Sequence, residues 1–91
     1  MKFIYKKSFI KQFDLYPTQQ QKIILEADHQ IKLYFENQFA AYGLRIKKLG
    51  SRTFEARVTD KIRIVWVKES DLVFFALLGT HEEVRRFIKN M

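Results

Sequence analysis

Two arginines, a glutamate and a histidine carry most of the chemistry this chain has to offer. In Thr53-Phe54-Glu55-Ala56-Arg57-Val58 and Lys61-Ile62-Arg63-Ile64-Val65-Trp66, apolar and charged residues alternate, and alternate residues of a strand share a face. The pattern predicts a hairpin with Phe54, Ala56, Val58, Ile62, Ile64 and Trp66 on its apolar side. A turn over 59–61 keeps those sets together, placing Arg57 opposite Arg63, Glu55 opposite Val65 and Phe54 opposite Trp66. Like charges directly across a strand pair cost a few tenths to about 1 kcal/mol unless something neutralises them. Two guanidinium forks match the oxygens of a phosphate; on an open sheet face such a pair more often reads as solvated, with Glu55 as its local counter-charge.

His81 follows Gly79-Thr80 at the start of a helix, where free N–H groups and the backbone dipole favour anions. An imidazole there can donate or accept a proton near neutral pH, or simply face solvent. Arg45, Lys47 and Lys48 are the candidates for further phosphate contacts. Lys47 and Lys48 are consecutive and point to opposite faces, so at most one joins the patch; Leu44 and Leu49 give contradictory parity and leave the inward side open. An acid and an imidazole on such a face would allow cleavage of a phosphodiester as well as binding.

The composition narrows the choices. Seventeen Lys and Arg against ten Asp and Glu give a net charge of +7 in 91 residues, which favours polyanionic partners. Residues 45–63 hold seven cations and two acids. Cysteine is absent, which removes disulfides, thiolate metal sites and a cysteine nucleophile. The two histidines, His29 and His81, lie in no ligand-spaced cluster, so no metal and no small-molecule cofactor is expected. Neither a glycine-rich phosphate loop nor a serine elbow is present. The N-terminus lacks the apolar core of a signal peptide and no run is long enough to span a membrane, so a cytoplasmic location without membrane association is expected.

The elements that must position these residues form a single α+β domain over 1–91. Lys2 to Lys6 reads as a short strand with Phe3 and Tyr5 on one face. Ser8 is placed to cap a helix ending near Tyr16, before Pro17. Thr18 with Gln21 matches a capping box for a second helix, whose stripe Ile24, Ala27, Ile31, Tyr34, Phe35 and Gln38 or Phe39 must be buried, with Gly43 as its stop. This spacing makes Tyr34, Phe35 and Phe39 core residues, and Trp66 joins Phe54 in the core; His29 has no role. Strands are expected at 44–49, 53–58, 62–67 and 72–78, the last covered on both faces because it is apolar throughout. Short turns imply antiparallel pairing. Thr80 to Glu83 is a second capping box, opening a short helix that buries Val84, Phe87 and Ile88. The fold class is therefore a short N-terminal strand, a helix hairpin packed on a twisted antiparallel sheet of about four strands, and a short C-terminal helix.

That order, with Gly43 to Leu49, Phe54 to Val58, Ile62 to Trp66 and Leu78-Gly79-Thr80-His81-Glu82-Glu83-Val84, resembles the RelE/ParE superfamily of bacterial type II toxins over nearly the whole chain. For the RelE-like branch the resemblance implies a toxin that enters the ribosomal A site, cleaves mRNA without a metal by promoting attack of the ribose 2′-hydroxyl, and so inhibits translation. It also implies a cognate antitoxin whose segment masks the basic face. Arg57 matches a cationic sheet residue, Arg63 the recurrent catalytic arginine of the next strand, and His81 a position that often holds Arg or His; Lys47 or Lys48 belongs to the preceding basic strand. Glu55 stands where some members have lysine and Phe87 near where some have a catalytic tyrosine. The chemistry expected here is thus Glu55 accepting the 2′-proton and His81 protonating the leaving 5′-oxygen. The alternatives are a ParE-like toxin that poisons DNA gyrase by binding, and a non-catalytic binding protein on the same fold.

Overall fold

Tyr16 adopts φ −77° and ψ 145° ahead of Pro17, and this extended residue divides the helical half of the chain. The structure, a computed structural model, describes residues 1–37 and 44–90. Strand β1 (Lys2–Tyr5) leads into α1 (Lys7–Leu15), and α2 (Thr18–Asn37) follows the proline. The rest is β2 (Lys47–Lys48), β3 (Thr53–Arg57), β4 (Arg63–Glu69), β5 (Leu72–Gly79) and α3 (His81–Lys89). The expected helix hairpin is present, but its caps differ. Ser8 lies inside α1, whose N-cap Lys6 makes no side-chain cap hydrogen bond. Thr18 is already helical, and Gln21 donates its backbone N–H to the Pro17 carbonyl at 2.9 Å and its side-chain amide to the Phe13 carbonyl at 3.0 Å. Gln21 thus ties the two helices together instead of closing a box. Gln38, Phe39 and Gly43 lie outside the described residues.

Five strands form one sheet in the order β1-β5-β4-β3-β2, one more than expected, and the sheet is mixed. β1 runs parallel to β5, with Phe3 beside Val73 and Tyr5 beside Phe75; a parallel neighbour needs a long connection, and α1, α2 and three strands lie between these two. The other pairs are antiparallel. The strand expected at 44–49 shrinks to Lys47–Lys48 because Arg45 sits at φ 49°, in the left-handed region that no strand residue occupies. The contradictory parity of Leu44 and Leu49 has this cause: the alternation is interrupted between them.

The apolar run of β5 has a different explanation from the one expected. Val65 pairs with Leu77 but Trp66 with Phe75, so Ala76 is an extra residue in β5, a bulge that shifts which positions face inward. Val73, Phe75 and Leu78 are consequently all fully buried in the helix-covered core. Leu72, Phe74 and Leu77 are only half-buried, so the strand is not fully covered on both faces. Trp66 and Ile64 from β4 and Ile24 and Ile31 from α2 complete the core. Its centre is aromatic: the Phe75 ring stacks on Tyr5 at 4.7 Å and meets Phe9 at 5.8 Å. Phe35 is half-buried against the same core, meeting Trp66 edge-on at 6.1 Å. Each such side chain withdraws roughly 1.5–3 kcal/mol worth of apolar surface from water, which holds the sheet rigid beneath its charged side.

Candidate functional site

The β3–β4 turn sets the geometry of the charged side. The Thr59 hydroxyl accepts from the backbone N–H groups of Lys61 at 3.2 Å and Ile62 at 3.0 Å, and Val58 N–H donates to the Ile62 carbonyl at 2.9 Å. This local bonding closes an odd-length turn and sets the register: Arg57 pairs with Arg63, Glu55 with Val65 and Phe54 with Trp66. With Phe54 and Ala56 in or against the core, Glu55 and Arg57 point to the opposite face.

Three further elements close the site. Arg57 N–H donates to the Leu44 carbonyl at 2.9 Å, which brings the segment after Leu44 alongside β3, and Lys47 becomes the register partner of Glu55. Lys48 pairs with Phe54 instead, and so belongs to the other face. On the β5 side Arg63 pairs with Gly79, two residues before His81. Thr80 caps α3: its hydroxyl accepts from Glu83 N–H at 3.2 Å, and the Glu83 carboxylate accepts from Thr80 N–H at 2.9 Å. A Cβ on Gly79 would lie 2.9 Å from Glu83 Oε1, so a side chain there would crowd the carboxylate that closes the box. His81 is thereby held at the first turn of α3, where the chain leaves the end of β5 next to Arg63.

The result is a cleft of about 320 Å³ lined by Arg45, Ile46, Lys47, Glu55, Arg57, Arg63 and His81. Glu55 and Arg63 are 6% and 8% exposed, with Arg63 Nη1 donating to Glu55 Oε1 at 2.9 Å. Arg63 Nε is buried with no hydrogen-bond partner. Arg45, Lys47 and Arg57 make no ion pair among the described residues, so the cleft holds four cations against one acid. Such a surplus, with spare guanidinium donors, is suited to an anion. An acid and an imidazole on the same wall add groups able to accept and return protons. Among the described residues no cluster of three or more His, Asp or Glu side chains is placed to hold a metal, and no helix is long and apolar enough to cross a membrane.

A second polar cluster went unnoticed in the sequence. Asp28, 9% exposed on α2, lies 2.7 and 2.8 Å from the Tyr5 hydroxyl, which donates to its two oxygens, and 3.2 Å from Lys32 Nζ. Burial, with Asp28 beside it, pushes the Tyr5 phenol up to about 12 although Lys32 opposes the change. Burial works to lower Lys32, but Tyr5 and Asp28 outweigh it and the net shift is upward. The Asp28 and Lys32 spacing on one helix was legible as an ion pair; the contribution of Tyr5, from β1, was not. His29 is exposed.

No protein-family model matches this chain, and no curated protein matches it in sequence. Solved structures do. A copper-bound mutant toxin from Helicobacter pylori superposes with a TM-score of 0.67 at 20% identity, covering 92% of this chain and 98% of its own. The YoeB/ParE toxin from Agrobacterium tumefaciens gives 0.69 at 15% identity, over 89% of this chain and 99% of the toxin. The RelB-RelE antitoxin-toxin complex from Methanococcus jannaschii gives 0.66 at 16% identity, over 92% of this chain and 96% of the matched one. The chain shares the fold of these toxins.

Proposed function

We propose that the protein is the toxin of a toxin–antitoxin pair and that it acts as a ribosome-dependent mRNA endoribonuclease. The observation that carries this reading is the cleft in which Arg57, Arg63, Glu55 and His81 converge with Arg45 and Lys47. Support for the toxin role comes from the shared fold, and support for a cognate antitoxin from neighbours solved as RelB-RelE and DinJ-YafQ complexes.

In the proposed reaction the ribose 2′-oxygen attacks the adjacent phosphorus, the bond to the 5′-oxygen of the next nucleotide breaks, and a 2′,3′-cyclic phosphate and a 5′-hydroxyl are left. Glu55 accepts the 2′-proton; His81 gives a proton to the departing 5′-oxygen. Arg57 and Arg63 stabilise the charge that builds on the phosphoryl oxygens, a contribution that is larger for a buried guanidinium such as that of Arg63. Arg45 and Lys47 hold flanking phosphates. Lys48 is left out of the phosphate contacts because it faces the other way.

The reading is tested in a reconstituted translation system by mapping mRNA ends, with gyrase supercoiling measured in parallel. Cleavage within codons is the expected result, and intact mRNA with inhibited supercoiling would establish the gyrase alternative in its place. In single-turnover cleavage on programmed ribosomes, His81→Ala and Glu55→Gln are each expected to slow the reaction by roughly 10²–10⁴-fold. Unchanged rates in both would remove the acid–base assignment.

A further inference from the structure

Phosphate binding alone would be served best by a cleft without an acid, yet Glu55 lines this one. It is not there as a free group. Its carboxylate is bonded to Arg63 Nη1 at 2.9 Å, and both residues are more than nine-tenths buried. Arg63 Nε has no partner, and Arg57, directly across the strand pair, has no ion pair among the described residues. The carboxylate oxygen therefore stands beside Arg63 where an oxygen of a bound anion would make its charge-assisted contact. Glu55 and a phosphate drawn to the same guanidinium would repel each other as like charges.

From this we infer that Glu55 is a displaceable internal counter-ion, which an entering phosphate must remove from Arg63 and which becomes the proton acceptor only once removed. The register supplies its destination: Lys47 is the cross-strand partner of Glu55 on the same face and is exposed, a second cation within reach of a carboxylate that swings off Arg63. One residue then has opposed effects. It weakens anion binding in the resting protein, and it withholds the base until a phosphate has arrived to be cut. The inference rests on the phosphate-binding reading given above but not on the ribosome as its setting.

The experiment uses the whole chain with side-chain-labelled Glu and Arg, titrated with inorganic sulfate at constant ionic strength and, separately, with a 2′-O-methyl RNA oligonucleotide. In the wild type the Glu55 carboxyl and Arg63 Nε–H resonances are expected to move together with one midpoint. Glu55→Gln is expected to bind sulfate on the order of tenfold more tightly, since the competing charge is gone, while its cleavage rate falls. Should Arg63 respond while Glu55 stays still, or should the variant bind no more tightly than wild type, displacement is wrong and the phosphate site survives. If neither resonance responds to either probe, the phosphate-binding reading itself falls, and displacement with it. The wild-type titration decides the matter even if Glu55→Gln does not fold.

Discussion

The molecule holds two buried acid–cation clusters, one on each side of the same sheet, and they are finished to different degrees. On the helix-covered side Asp28 takes the Tyr5 hydroxyl and the Lys32 ammonium, and that ammonium also lies 5.6 Å and 5.0 Å from the centroids of the Phe3 and Tyr5 rings. On the other side Glu55 and Arg63 share one contact, and a buried guanidinium N–H is unmatched. A completed polar network rigidifies the fold that contains it, whereas an incomplete one is costly to bury. Two buried donors are unmatched among the described residues, Arg63 Nε and Trp66 Nε1 in the core; the first belongs to a residue that, with Glu55, helps line the cationic cleft. The contrast fits a structural role for the Asp28 cluster and supports the binding and chemistry proposed for the Glu55 cluster.

The largest expected effect tests the incomplete cluster. Arg63→Gln is expected to lower single-turnover cleavage by roughly 10²–10³-fold, the size of losing a donor aimed at developing charge. It should also cost about 3–5 kcal/mol in urea unfolding, because Glu55 is left buried without its cation. Wild-type cleavage in this variant would abolish the functional half of the contrast. Next comes Asp28→Ala, expected to cost about 1–3 kcal/mol in the same unfolding measurement, since the Tyr5 hydroxyl loses its acceptor, while the folded variant cleaves at the wild-type rate. A cleavage defect without loss of stability would mean the two clusters are not independent.

Thr80→Ala separates positioning from chemistry. Loss of the cap is expected to cost about 1 kcal/mol, and because the cap holds His81 at the head of α3, cleavage should fall further than stability does. The smallest effect is a pH dependence. Tyr5 is raised to about 12 and Lys32 is raised as well, so the folded protein keeps protons that the unfolded chain begins to release near pH 10. Stability is therefore complete below that pH and declines as pH climbs from about 10 toward 12. Thermal melting across this range is expected to show the decline, and Tyr5→Phe to make it shallower; an identical slope in the variant would mean that Tyr5 is not its source.

Much of this architecture was legible in the residues, where a local rule sufficed. The Arg57–Arg63 register follows from alternation plus an odd turn, and the α3 cap from Thr80 and Glu83, because these depend on neighbours in the chain. The misreadings arose where partners are distant or the backbone departs from regularity. Arg45 at φ 49° breaks a strand that the alternation would continue, and the extra Ala76 makes β5 appear buried on both sides when its inward positions merely change parity. The burial of Glu55 was invisible for the same reason. A glutamate on the polar side of a hairpin reads as exposed until β2, supplied by a separate segment, is paired alongside β3.

By itself the sequence determined which side chains of β3 and β4 share a face, the break at Pro17 and the cap of α3, and that the charge balance invites an anion, since periodicity and turn chemistry act over a few residues. Only the tertiary structure decided that Lys47 and not Lys48 enters the cleft, that His81 lines the same cleft as Arg63, and that Arg63 is held by Glu55. Those outcomes depend on strand pairing between segments far apart in the chain, and on the desolvation that turns a surface charge pair into a buried one.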